Sequence, residues 1–257
     1  MPSSSLAPGA VCLTLQSVKA ITSGLFGQDQ HWLSEQEQER LCSITATRRR
    51  TEFVAGRWLA RQCLAANAGG RWQDYVLSAP DGAAPTVLSA PKCGLEQAPY
   101  FSLSHSADWL ACAVSNHPVG VDVEDVTRQR DIDALGDWIY GPQERAHVDV
   151  LPEPARREHF FALWTLKEAW IKQAKSGVQP ASMRDVQFIP RAGPDSQAGV
   201  LQGQGFTMAI VSPCSVVLSL DTPNLSGLPI EHWEVLSDQS DYWLAAIPPH
   251  PPESKTR

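Results

Sequence analysis

At 257 residues, 43% hydrophobic and 19% charged, the chain is long enough to bury a core, as one large domain or two modest ones. A formal net charge of −7 argues against a nucleic-acid binder, whose footprint is basic, and requires a local cluster of cations for any anionic ligand. No apolar run approaches the roughly 20 residues that cross a bilayer, and the start lacks the basic region of a secretory signal, so a cytoplasmic protein without membrane association is expected.

In chain order, residues 11–18 predict a strand. Ser34 and Glu37 have capping-box spacing and open a helix over 35–42; a longer helix covers 47–68 and stops at Gly69-Gly70. Residues 79–99 read as loop. Residues 100–105 alternate, with Phe101 and Leu103 on one face and Ser102 and Ser104 on the other. Strands over 109–115 and 119–125 read as a hairpin about Asn116-His117-Pro118. Helical patterning returns over 131–138 and 155–175. Further strands are expected at 185–189, at 206–211 paired with 216–220, and at 230–236 paired with 242–247, before a frayed tail at 248–257. A strand, a long helix and more strands occur in each half, which predicts an α+β fold of two similar halves, 1–107 and 108–247. Six cysteines with no CxxC pair read as reduced thiols.

The densest chemical signal is VGVDVEDV at 119–126. On a strand, Val119, Val121 and Val123 face one side, and Asp122 and Glu124 the other. Two like charges so placed repel unless a cation sits between them; a hard divalent ion such as Mg²⁺ fits, and the plain alternative is an acidic face turned to water. The second signal is HFFALWTLKEAWIKQAKSG at 159–177. There Glu168 and Lys172 lie one turn apart outside the apolar arc, with Trp164 one turn before Glu168; that spacing also suits a surface ion pair. Lys167 falls inside the arc, where it must snorkel, pair with an acid or meet an anion.

GVDVED followed by WTLKEAWIK resembles the two signature blocks of the Sfp-type 4′-phosphopantetheinyl transferases. YFSLSHS at 100–106 is similar to the family's FNLSHS block, with Ser102 in place of Asn, and RRRTEFVAGRWLAR at 48–61 to its arginine helix. The resemblance implies a pseudo-dimeric α+β fold with coenzyme A in the cleft between the halves, and Mg²⁺-dependent transfer of phosphopantetheine to a serine of an apo acyl or peptidyl carrier protein. A monomer suffices for such a fold. By position, Asp122, Glu124 and Glu168 are the implied metal ligands, and Lys172 contacts the diphosphate. Ser104 and His105 are implied to reach coenzyme A phosphates, with Lys92 in the place of the family's GKP lysine, although Ala90-Pro91 precede it here. Lys167 joins the coenzyme A candidates. Glu144 in IYGPQE matches a glutamate position considered for the base, a water at the metal being the alternative. Arg50, Arg57 and Arg61 fall along one helical stripe suited to a phosphate, Arg50 and Arg57 being the ones counted as coenzyme A contacts; the alternative is a solvated face. A different metal-dependent phosphoryl hydrolase and a non-catalytic coenzyme A binder are the rival functions.

Overall fold

A computed structural model describes residues 10–25, 30–91, 98–174, 183–193, 196–214, 217–220 and 222–236. Lys92, the strand expected at 242–247 and the tail at 248–257 lie outside them. The chain opens with β1 (Ala10–Ser17), α1 (Val18–Leu25), α2 (Glu35–Ser43) and α3 (Thr47–Ala68). A short ribbon, β2 (Val76–Leu77) and β3 (Val87–Ser89), precedes β4 (Tyr100–Ser106), β5 (Trp109–Ser115) and β6 (Gly120–Asp125). Then come α4 (Ile132–Ile139), α5 (Pro142–Val148), α6 (Ala155–Gln173), β7 (Gln187–Arg191), β8 (Ala198–Gly203), β9 (Phe206–Val211), β10 (Val217–Leu220) and β11 (Ile230–Leu236).

Beside the β2–β3 ribbon, the described residues form two larger, mainly antiparallel sheets, ordered β10-β1-β5-β4 and β6-β9-β8-β11-β7, in which β1 and β10 alone pair in parallel. They stack as four layers. Strand alternation sends Leu110, Cys112 and Val114 of β5 against α1 and α3, while Ala111 and Ala113 face the other sheet. There they meet Val121 and Val123 of β6 and Met208 and Ile210 of β9. Ala209 and Val211 of β9 look outward to Leu163, Leu166 and Trp170 of α6. Each sheet is thus buried on both faces, one face by its own long helix and the other by the second sheet.

Helix α3 runs over the residues expected and ends where Gly69 adopts φ 82°, a conformation that costs glycine nothing. Helix α2 carries the predicted capping box: Ser34 Oγ accepts from Glu37 N, and Glu37 Oε2 accepts from Ser34 N at 2.8 Å. Strand pairing differs from expectation. The hairpin is β4–β5, with Ala107 in its turn; β5 has β1 on its other edge, so β6 finds no free edge and crosses to pair with β9. A division at 107/108 cuts that hairpin, and the change of sheet falls between Ser115 and Gly120. Likewise β9 lies between β6 and β8, and β10 returns to β1 instead of pairing with β9.

Candidate active site

The side of β6 away from the valines faces α6, and a glycine lets it come close. A Cβ on Gly120 would sit 1.8 Å from Ala169 O and 2.7 Å from Gln173 N, so only glycine allows the strand to lie on the helix backbone here. Two residues on, Asp122 Oδ1 accepts from Lys172 Nζ at 2.6 Å. Glu124 is held by α6 as well: its Oε1 accepts from Trp164 Nε1 at 3.2 Å, and its Oε2 from Arg130 at 2.8 Å, with that guanidinium stacked over the Trp164 ring. Glu168 completes the group. Burial first, then the Asp122 carboxylate, raises its pKa above the ordinary range; Lys172 opposes the rise and Glu124 adds to it. The two sequence blocks therefore converge on one place.

The serine block lies alongside. Ser104 Oγ donates to Asp122 Oδ1 at 2.7 Å and accepts from Lys172 at 2.8 Å, while Ser106 Oγ donates to Glu124 Oε2 at 2.8 Å. Beyond β4 opens a cleft of about 630 Å³, lined by Phe53, Gly56, Leu103 and Leu110 on its apolar side and by Arg40, Arg49, Arg57, Ser104 and His105 on its polar side. A second hollow of about 390 Å³ shares Arg49, Glu52 and His105 with it and reaches Glu124, Arg128 and Arg130. His105, 43% exposed, sits 3.3 Å from Glu52 at this junction. Together the hollows form a cation-rimmed trough that reaches Glu124 and the serines bonded to Asp122 and Glu124, the surroundings a phosphorylated ligand needs.

Several sequence-predicted residues lie elsewhere. Glu144 and Lys167 pair with each other at 2.8 Å, with side chains 0% and 1% exposed. Glu144 also accepts from Gly141 N and Phe188 N, and Lys167 donates to Met183 O and Val186 O. Glu144 is thus a buried cap of α5 with its oxygens taken, not a base, and Lys167 is a buried clamp, not a coenzyme A contact. Arg50 donates to Leu41 O and Ile44 O at the end of α2 and lines neither hollow. Arg61 is fully buried against Glu37. Arg57 does line the cleft, but its Nη1 donates to Ser78 O at 2.8 Å, and burial lowers its pKa to about 10 despite Glu37 nearby. The cations facing the cleft that the helical stripe did not single out are Arg40 and Arg49; the latter is exposed and has no hydrogen-bond or ion-pair partner among the described residues. Arg130 gave no sequence signal, since it acts from an irregular segment. Trp164 and Ser106 stood within the quoted blocks, and their chemistry emerges only with tertiary contact.

Among the described residues no three His, Cys, Asp or Glu side chains form a ready metal cage. The acids are neutralised instead by Lys172 and Arg130. Two observations nevertheless fit a hard cation. Among the described residues Asp122 Oδ2 is buried with no hydrogen-bond partner, and the Glu168 carboxyl, its proton affinity raised by burial first and Asp122 second, sits close enough to Asp122 and Glu124 to feel both. Carboxylate oxygens are donors that Mg²⁺ takes, beside phosphate oxygens and waters.

Residues 118–213, which contain both signature blocks, match the family model for the 4′-phosphopantetheinyl transferase superfamily. The chain is 38% identical over 102 residues to the 4′-phosphopantetheinyl transferase psf-1 of Bacillus pumilus, a stretch covering 38% of this chain and 40% of that one. It is 26% identical over 160 residues to 4′-phosphopantetheinyl transferase HetI of Nostoc, covering 62% and 66%. A solved holo-(acyl-carrier-protein) synthase of Bacillus anthracis in complex with CoA aligns with a TM-score of 0.35 at 21% identity, over 41% of this chain and 93% of that one. The resemblance carried by the two blocks is thus borne out, over stretches that span less than two thirds of these curated relatives.

Proposed function

We propose that this chain transfers the 4′-phosphopantetheine arm of coenzyme A to a serine of an apo carrier protein, releasing 3′,5′-ADP. The observation that carries the reading is the meeting of Asp122, Glu124, Glu168 and Lys172 from separate stretches of chain, beside a cation-rimmed trough that Glu124 and Ser104 line. Asp122, Glu124 and Glu168 would hold Mg²⁺, which when bound supplies Lewis-acid stabilisation of the diphosphate charge. Lys172 lies with its ammonium between Asp122 and Ser104 and offers a mobile cation to the departing diphosphate oxygens. Arg40 and Arg49 offer charge-assisted bonds to the nucleotide phosphate, and Phe53, Leu103 and Leu110 an apolar wall. The incoming carrier serine brings its own nucleophile, so positioning and charge stabilisation are the tasks left to the enzyme. With Glu144 sealed in the core, the serine proton goes to another group.

In the same reading the two sheets, each with its long helix, are the two halves of a pseudo-dimer, and one copy of the chain suffices. Among the described residues no helix is long and apolar enough to cross a membrane, which suits work on soluble carriers. Incubation with coenzyme A and Mg²⁺, with and without an apo carrier protein, is the test. Intact mass spectrometry should find one added phosphopantetheine arm on the carrier and no consumption of coenzyme A without it. Consumption without a carrier would mark a hydrolase; no consumption in either case would mark a binder.

A further inference from the structure

The edge strands β4 and β6 belong to different sheets and share no backbone ladder, yet hydroxyl groups stitch them together. Ser102 Oγ accepts from Val121 N at 3.1 Å, Ser104 Oγ from Val123 N at 3.3 Å, and Ser106 Oγ from Asp125 N at 3.1 Å. The register is regular, each second residue of β4 taking each second amide of β6, so three otherwise unpaired N–H groups of an edge strand are satisfied. A hydroxyl has one proton and two acceptor sites. Once an amide occupies an acceptor site, the proton is directed elsewhere, and the side chain one residue before that amide is within reach. Before Val123 stands Asp122, and Ser104 donates to its Oδ1 at 2.7 Å; before Asp125 stands Glu124, and Ser106 donates to its Oε2 at 2.8 Å. Before Val121 stands Gly120, which has nothing to receive a proton.

We infer that Ser104 and Ser106 are positioning residues, each relaying a hydrogen bond from the β6 backbone to a carboxylate and so fixing its orientation, with Oδ2 of Asp122 left without a partner among the described residues and Oε1 of Glu124 left to Trp164. The inference rests on the proposed metal-dependent transfer and assigns the role of setting those acids. For Ser104 the relay replaces the direct phosphate contact implied by the resemblance, because its proton is committed to Asp122 and its acceptor sites to Val123 and Lys172. Ser106 gains a role where it had none. Ser102 is the internal control, with the same stitch and no carboxylate behind it.

The test is calorimetric titration of MgCl₂ into the full chain with coenzyme A present and no carrier protein, paired with thermal melts. Ser102→Ala and Ser106→Ala should both lower the melting temperature, because each loses one inter-sheet stitch. Only Ser106→Ala, and with it Ser104→Ala, should weaken Mg²⁺ uptake, by about tenfold as for the loss of other outer-shell partners of metal ligands. Ser106→Thr, which keeps the hydroxyl on a strand-compatible side chain, should restore wild-type uptake. Equal Mg²⁺ affinities in Ser102→Ala and Ser106→Ala, or no rescue by threonine, would overturn the inference while leaving the transferase reading standing. Absence of Mg²⁺ uptake by the wild-type chain with coenzyme A would remove both.

Discussion

Helix α6 carries two acid–lysine pairs little more than one turn apart, and they have opposite fates. Lys167 and Glu144 are 1% and 0% exposed, and every donor of the ammonium has an acceptor: Met183 O, Val186 O and the carboxylate. Lys172 and Asp122 are 27% and 7% exposed; among the described residues Asp122 keeps one buried oxygen without a partner, and Lys172 holds a hydroxyl and that carboxylate alone. A saturated pair is finished chemistry: it joins α5, α6 and β7 and has no bonding capacity left. An unsaturated pair one hydroxyl away from the cleft, behind Ser104, still has affinity to spend on a ligand. What separates structure from site on this helix is the number of unmet hydrogen-bond positions, not residue type.

The largest expected effect comes from emptying the open pair. Asp122→Asn should lower the transfer rate by about 10³-fold, roughly 4 kcal/mol of lost transition-state stabilisation. The fold should change little, because Lys172 can turn its charge to water. Steady-state rates at saturating Mg²⁺ and a melt of the same sample measure both. Next comes the sealed pair. Lys167→Met strands a buried carboxylate and should cost about 3–5 kcal/mol of stability, with part regained in the double variant Glu144→Gln/Lys167→Met. Urea midpoints decide it. If Lys167→Met proves as stable as wild type but inactive, the distinction between the pairs fails.

A Cβ at Gly120 tests the same contrast through the backbone. Its 1.8 Å approach to Ala169 O cannot be relieved by a side-chain rotation, so Gly120→Ala must push β6 away from α6. We expect about 2–3 kcal/mol of destabilisation, within the range for overpacked cores, together with a raised Mg²⁺ requirement as Asp122 leaves Lys172. The Lys167–Glu144 pair lies off this contact and should keep its amides protected from hydrogen exchange. Parallel loss of protection there would mean that the two pairs are not independent.

These cases also show what the sequence makes legible. Helix α3 and the capping box of α2 follow from residues adjacent in the chain, and both stand where patterning puts them. The alternation of Val121, Asp122, Val123 and Glu124 fixed which side chains share a face, and the structure keeps it. Partners were not legible. Helical spacing puts Arg57 and Arg61 on one stripe, but Glu37 of α2 draws Arg61 wholly inward, and nothing local to α3 announces that. The position of Lys167 left three outcomes open; pairing with an acid is the one realised, and the acid is the glutamate that family likeness had suggested for proton transfer. Strand order failed for the same reason, since which edge is free depends on strands distant in sequence.

The smallest effect concerns a third ionisable group of α6, one with no counter-ion among the influences that set its pKa. His159 packs between the tilted rings of His147 and Trp233, and burial first, His147 second, lower its pKa from 6.5 to about 4. The folded chain thus keeps this ring neutral where the unfolded chain takes up a proton. Stability is full above pH 6.5, falls as the pH drops toward 4, and levels once both states are protonated. Because the ring is only partly buried, solvent screening reduces the effect to on the order of 1–2 kcal/mol. Urea midpoints at neutral and mildly acid pH should fall less for His159→Phe than for wild type. Identical slopes would mean that the ring accepts its proton in the folded state, and that an uncompensated charge on this helix is tolerated without the partners that Lys167 and Lys172 have.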